Sequence, residues 1–259
     1  MVKKILLTSL LVLVSGGLLG SWFWYAGELE SAGREEARCQ RVNVIVLDSL
    51  ESSIVDRQEM HDLLSRMVVG KRTDTVNLNA IEQFVRSRGE VTHAEAYAAD
   101  PHTIAVAINQ RKPVVRFENG PEHYYSDPDG YLFPVLHPVD VPVVTGYIPL
   151  SLGAGYKGLA PEAQRDWVLG LVEMARYIDS RNTLRAQIEQ IDVAAGGDIV
   201  LYTAEEGPAI IFGDSGQVAE KFRLLEVWWQ NVRPEALAQG KHYKTINLKY
   251  NHQIICKQK

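Results

Sequence analysis

Residues 5 to 26 carry no charged side chain, and this one run constrains the chain more than any other feature. A helix of that length spans about 33 Å at roughly 1.5 Å per residue, enough for a bilayer core. Lys3 and Lys4 stand before the run, and Glu28 and Glu30 follow it. The positive-inside rule puts the short N-terminus in the cytoplasm and everything after Ala26 outside. Trp22, Phe23, Trp24 and Tyr25 then form an aromatic belt at the outer interface. A cleaved signal peptide needs small residues before its cleavage site, and the run ends in bulky aromatics instead. Cys39 lies too far downstream, behind Arg38, for a lipoprotein signal. The reading is an uncleaved single-pass anchor. Gly16 and Gly20 have a spacing that suits close helix approach, and equally reflect the ordinary frequency of glycine in membrane helices.

The formal net charge is −5, and losing Lys3 and Lys4 to the anchor makes the rest more acidic still. That balance argues against a nucleic-acid partner, which calls for a basic face. Two cysteines exclude a disulfide-rich scaffold and a four-cysteine zinc site. Cys39 and Cys256 stand near opposite ends of the external body. A disulfide between them is chemically allowed outside the cytoplasm, and it needs Cα atoms within about 7 Å. The sequence leaves a bond and two free thiols both open.

After a charged linker the external part predicts two units. In the first, Val42, Val44 and Val46 alternate with Asn43, Ile45 and Leu47, which predicts a strand apolar on both faces. Asp56 and Glu59 open a helix bearing Met60, Leu63, Leu64 and Met67, ended by Gly70. Asn77 caps a second helix with Leu78, Ile81 and Val85 on one face, stopped by Gly89. Strands are expected at Val91–Ala98 and Thr103–Gln110, joined at Asp100-Pro101. The order strand, helix, helix, strand, strand makes a small α+β domain.

The second unit begins with short strands and turns. Ser126-Asp127-Pro128-Asp129-Gly130 is a strong turn signal. Pro161 starts a helix carrying Val168, Leu171, Val172, Ala175 and Ile178. A meander follows over Ile188–Val193, Ile199–Thr203 and Ala209–Phe212, with turns at Gly196-Gly197 and Glu206-Gly207. A second helix presents Val218, Phe222, Leu225, Trp229 and Val232 and stops before Pro234. Of Trp228 and Trp229, one belongs to the core and the other is a candidate contact. A final strand is expected from about Thr245 to Ile255. A terminal strand after a helix takes either an edge position, open to another chain, or a covered one; the spacing leaves both open.

Signatures of catalysis fail on inspection. Gly213-Asp214-Ser215-Gly216 resembles a serine-protease loop, but no histidine base stands in a matching context, and Ser215 reads as the N-cap of the next helix. Asp127 and Asp129 lack the further oxygen ligands of a calcium loop and read as turn residues. The seven histidines are dispersed, with no HExxH spacing. Gly70-Lys71-Arg72-Thr73 is no phosphate loop, since Ser65 occupies the first glycine's position. Glu205-Glu206 reads as a solvated hairpin turn.

The order of parts resembles the bacterial cell-division family FtsQ/DivIB. Gln110-Arg111-Lys112-Pro113-Val114-Val115-Arg116 resembles that family's Q-R-x-P-x-x-R segment. Tyr124-Tyr125-Ser126-Asp127-Pro128-Asp129-Gly130 with Pro134 is similar to its D-x-x-G turn, and Val141-Pro142-Val143-Val144-Thr145-Gly146 to its P-x-x-x-G stretch. Lys221-Phe222-Arg223-Leu224-Leu225 resembles its lysine-bearing helix, and Ile246-Asn247-Leu248-Lys249-Tyr250 its closing strand.

The resemblance implies a cytoplasmic tail at 1–4, a transmembrane helix at 5–26, a linker at 27–40, a POTRA domain at 41–112 and a C-terminal mixed β domain with two helices at 113–259. It implies a non-enzymatic division scaffold of the inner membrane, with its body in the periplasm at the septum. No cofactor, metal or catalytic residue is implied. The expected partners are small bitopic proteins of the FtsB/DivIC and FtsL kinds, bound through Ile246, Asn247, Leu248, Lys249, Tyr250 and Asn251. Tyr250 is the foremost expected contact, a large amphipathic ring on the closing strand. Another POTRA-bearing envelope assembly or secretion component is the alternative. A membrane-anchored hydrolase using Ser215 is a more distant one.

Overall fold

The computed structural model describes residues 20–24, 37–47, 53–204, 207–250 and 253–259. The span expected over 5–26 lies outside them except for residues 20–24, which are helical and exposed. Among the described residues no helix is long and apolar enough to cross a membrane. The Glu205-Glu206 turn also lies outside them. The described chain divides into two compact units, one holding 37–47, 56–87 and 93–109, the other 53–55, 88–92 and the residues from 110 onward.

The first unit has the expected element order. Strand β1 (Arg41–Val46) is followed by helix α1 (Arg57–Val68), a 3-10 turn (Thr73–Thr75), helix α2 (Leu78–Arg86) and strands β2 (Val91–Asp100) and β3 (Thr103–Gln110). The sheet order is β1-β3-β2, with β1 parallel to β3 from Arg41 opposite Thr103 to Val46 opposite Ile108. Local chemistry explains the helix starts. Asp56 accepts the amides of Gln58 and Glu59, and Asn77 accepts that of Ala80, so two otherwise orphaned donors of α1 and one of α2 are satisfied. Met60, Leu64 and Val68 recur at helical spacing and are buried, as are Ile81 and Val85. One expectation is corrected: β1 buries Val42, Val44 and Val46 alone, while Ile45 is half-buried and Leu47 exposed. Its helices cover one face, and alternation sends the other residues outward.

The second unit is a ten-stranded mixed sheet. Its strands are β4 (Val115–Asn119), β5 (Glu122–Ser126), β6 (Tyr131–Pro134), β7 (Val143–Gly146), β8 (Gly158–Leu159), β9 (Ile188–Val193), β10 (Ile199–Thr203), β11 (Ala209–Gly213), β12 (Tyr243–Asn247) and β13 (Ile255–Gln258). Their order is β13-β12-β11-β10-β9-β7-β4-β5-β6-β8. Helix α3 (Glu162–Asp179) buries Val168, Leu171, Val172, Ala175 and Ile178, the expected face. Helix α5 (Val218–Val227) packs on α3, with the short helix α4 (Asn182–Gln187) between them in sequence. Phe222 of α5 stacks on Tyr177 at 4.9 Å and meets Phe212 at 5.1 Å, anchoring the helices to β11.

The segment after α5 corrects two expectations. The helix does not stop before Pro234. A π turn (Trp228–Val232) continues it into helix α6 (Arg233–Ala238), where Pro234 sits in the first turn, a position that needs no amide donor. Trp228, three residues after Leu225, continues the buried stripe of α5, while Trp229 is half-buried and Val232, at the end of the wider turn, is exposed. The two expected helices of this unit are thus accompanied by α4, the π turn and α6.

The Asp127 turn forms as expected. Asp127 accepts the amides of Asp129 and Tyr131, and Gly130 takes φ +76°. Its other carboxylate oxygen receives Arg111 at 2.6 Å, and that guanidinium lies 3.5 Å from the Tyr131 ring centroid. Gln110 accepts the amides of Ile54 and Val55. Both cysteines are free thiols.

Candidate partner-binding site

The closing segment begins at β12, which is fully inside the sheet. On one side it runs parallel to β11, with Ile210 opposite Ile246. On the other it pairs antiparallel with β13, with Ile246 opposite Cys256 and Asn247 opposite Ile255. The continuous strand expected over 245 to 255 is therefore two strands, and β12 is not the sheet's edge. The reason for the break is local. Leu248 still donates its amide to Ile211 O, at 2.9 Å, but the next amide, that of Lys249, goes to the Asn247 side chain at 2.9 Å. An asparagine that captures a nearby backbone donor ends the ladder. The Gln253 amide donates to Tyr250 O at 3.2 Å.

Strand β13 forms the outer edge of the sheet. No side chain among the described residues hydrogen-bonds to the backbone of Ile255–Gln258. The expected site residues divide sharply. Ile246 and Leu248 are buried in the main core, Asn247 is half-buried, and Lys249 and Tyr250 are exposed, Tyr250 by 53%. Asn251 lies outside the described residues. Ile255, 50% exposed, adds an apolar side chain that sequence reasoning did not single out as a contact.

Lys249 is held on both sides. Its Nζ donates to Asp198 Oδ2 at 2.8 Å, and this bond raises its pKa above the ordinary lysine value. Its stem lies across Gly213, whose φ is +86° and where an added Cβ would stand 2.7 Å from Lys249 Cγ. Only glycine suits that position. Beyond Gly213 the loop contradicts the N-cap reading of Ser215. Gln217 precedes α5 in the left-handed region without a side-chain cap, and Ser215 packs against Gly170 of α3.

Asp214 organises the loop instead. Its Oδ1 accepts the Gly216 amide at 3.1 Å and Lys221 Nζ at 2.7 Å. The Lys221 ammonium holds the Asp214 carboxyl below the usual carboxylate range. Lys221 and Asp214 were missed as site residues. The available signal was a lysine inside an apolar stripe, three residues after Val218 and four before Leu225.

Residues 112–257, more than half of the chain, match the family described as FtsQ/DivIB, C-terminal related. Residues 37–109 match the POTRA-like domain. No curated protein matches the chain. With its strand-helix-helix-strand-strand unit followed by the mixed sheet that ends in β12 and β13, the chain belongs to the FtsQ/DivIB family of cell-division proteins.

Proposed function

We propose that this protein is a non-enzymatic, membrane-anchored scaffold of the bacterial division machinery. In this reading residues 5–26 anchor it in the inner membrane, and its periplasmic body recruits small bitopic partners of the FtsB/DivIC and FtsL kinds to the septum. The observation that carries the reading is the pair of family matches in this order, covering 37–109 and 112–257. The geometry adds a surface suited to it. An edge strand, β13, offers backbone groups to a further strand, and Tyr250, Lys249 and Ile255 stand exposed around it. Ile246 and Leu248 act from within the core by fixing β12, and Asn247, Lys249, Tyr250 and Asn251 are the contacts.

The test is photocrosslinking in living cells with a photoreactive residue at Tyr250 or Lys257, and a control at Arg176 on the exposed face of α3. The expected result is an adduct with a small single-pass protein from the first two positions and none from the third. Normal division after depletion of the protein would overturn the scaffold reading. A folded, membrane-bound protein giving no adduct at either test position would overturn the proposed surface.

A further inference from the structure

Lys221 is a buried lysine, 5% exposed, on a helix whose other inward residues are apolar. An ammonium in such a place is retained only if it is paired. Its Nζ donates to Asp214 Oδ1 at 2.7 Å and to Asp214 O at 3.2 Å, and lies 4.8 Å from the Phe212 ring centroid. Yet the Asp214 side chain is 86% exposed. The pair therefore joins the core of the unit to one surface loop.

That loop carries the closing segment. Asp214 Oδ1 also takes the Gly216 amide, so a single carboxylate oxygen closes the turn and receives the lysine. Immediately before it, Gly213 forms the floor beneath Lys249: an added Cβ would lie 2.7 Å from Lys249 Cγ and 3.5 Å from Lys249 Cα. Lys249 is fixed from above by Asp198. The next residue is Tyr250. A line of direct contacts thus runs from Lys221 through Asp214 and Gly213 to Lys249, and by one peptide bond to the exposed ring.

We propose that Lys221 is a positioning residue for the partner-binding segment: through Asp214 it fixes the floor on which Lys249 lies, and so sets where Tyr250 is presented. This rests on the scaffold reading above, and deepens it. Lys221→Met keeps the stem and loses the donors. Asp214→Ala removes the acceptor from the surface side. Asp214→Asn keeps an oxygen where Oδ1 stands, replaces the other oxygen by an amide nitrogen and loses the charge.

The experiment places the photoreactive residue at Tyr250 in the full-length protein, in cells, at a temperature where thermal unfolding shows each variant folded. Lys221→Met and Asp214→Ala are expected to lower the adduct by about fivefold or more, the effect of roughly one lost contact, while Asp214→Asn stays within about twofold of the parent. A merely stabilising pair predicts equal adducts in all folded variants, and that outcome overturns the proposal while leaving the scaffold reading intact. Should Lys221→Met fail to fold, Asp214→Ala decides alone at a temperature where it is folded, since Lys221 keeps its bond to the Asp214 backbone carbonyl there. No adduct from the parent protein overturns the partner surface, and the positioning role with it.

Discussion

Edge strand β2 of the first unit and edge strand β13 of the second are finished in different ways. On β2 the Ala96 amide donates to Glu82 Oε1 of helix α2 at 3.0 Å, and Arg86 holds the other oxygen of that carboxylate at 3.3 Å. A side chain from the unit's own helix thus occupies a backbone donor that an incoming strand would need. On β13 nothing comparable is present among the described residues, and Tyr250 stands exposed. Edges left open invite pairing, and proteins commonly cover or charge those not meant for it. The contrast teaches that β2 has a backbone donor covered by a side chain of its own unit, where β13 has none so covered among the described residues.

The most severe way to break the contrast is to empty the core beneath the open edge. Ile246 is fully buried under the β12–β13 pair, so Ile246→Ala is expected to cost the second unit about 2–5 kcal/mol. Urea unfolding followed by hydrogen exchange checks this, with amides in β1–β3 unchanged. Next comes the covered edge. Glu82→Ala leaves the Ala96 amide without its acceptor, a loss of about 1–3 kcal/mol, and uncovers β2. Sedimentation velocity is then expected to show association beyond that of the parent, growing with concentration, and Glu82→Gln to sediment as the parent does. A Glu82→Ala protein as stable as the parent and sedimenting with it would remove the contrast.

Subtler is Ile255→Lys, which puts a charge on the exposed face of β13. Stability is expected to stay within about 0.5 kcal/mol, while the adduct from Tyr250 weakens. The smallest effect is that of pH. Arg72 holds the Asp74 carboxyl down, the His102 amide holds down that of Asp100, and Lys221 that of Asp214. A depressed folded pKa gives stability that is present above the unfolded value and lost as pH falls through the folded one. Lys249 runs the other way: its raised pKa gives stability present below the unfolded lysine value and lost at higher pH. Urea midpoints are therefore expected to be flat in these contributions between about pH 5 and 9 and to fall in both units below about pH 4.

What the sequence disclosed follows the range of the interactions involved. Caps act within three residues, and Asp56 and Asn77 were legible for that reason. The alternation in Thr103–Gln110, Ile188–Val193 and Ile199–Thr203 placed those strands at their observed bounds. The Asp127 turn was legible, but its bond to Arg111, sixteen residues away, was not. The closing strand misled because Ile254 and Ile255 continue a β-like pattern, while the break depends on one asparagine side chain taking one amide. The π turn has no compositional mark, and Val232, expected on the apolar face of one continuous helix, stands exposed at its end. At the candidate site the exposed Lys249 and Tyr250 stand in the segment singled out from sequence. Lys221 and Asp214 gain their part only when α5 lies against β11, which no local pattern states.

The parallel pairing of β1 with β3 has a mechanical meaning. The first described stretch of the first unit runs into the N-terminal end of β1, and its last stretch runs out through the C-terminal end of β3. Since the two strands point the same way, these are opposite ends of one ladder. Tension between whatever holds the chain upstream of Arg41 and whatever grips it downstream of Gln110 therefore pulls the strands past one another. The rungs from Arg41–Thr103 to Val46–Ile108 share that load in shear instead of opening one at a time. Upstream, the bonds of Cys39 with Lys71 and Gly70 must yield as well. A pull on these two ends meets the β1–β3 ladder lengthwise, the geometry in which its hydrogen bonds resist together.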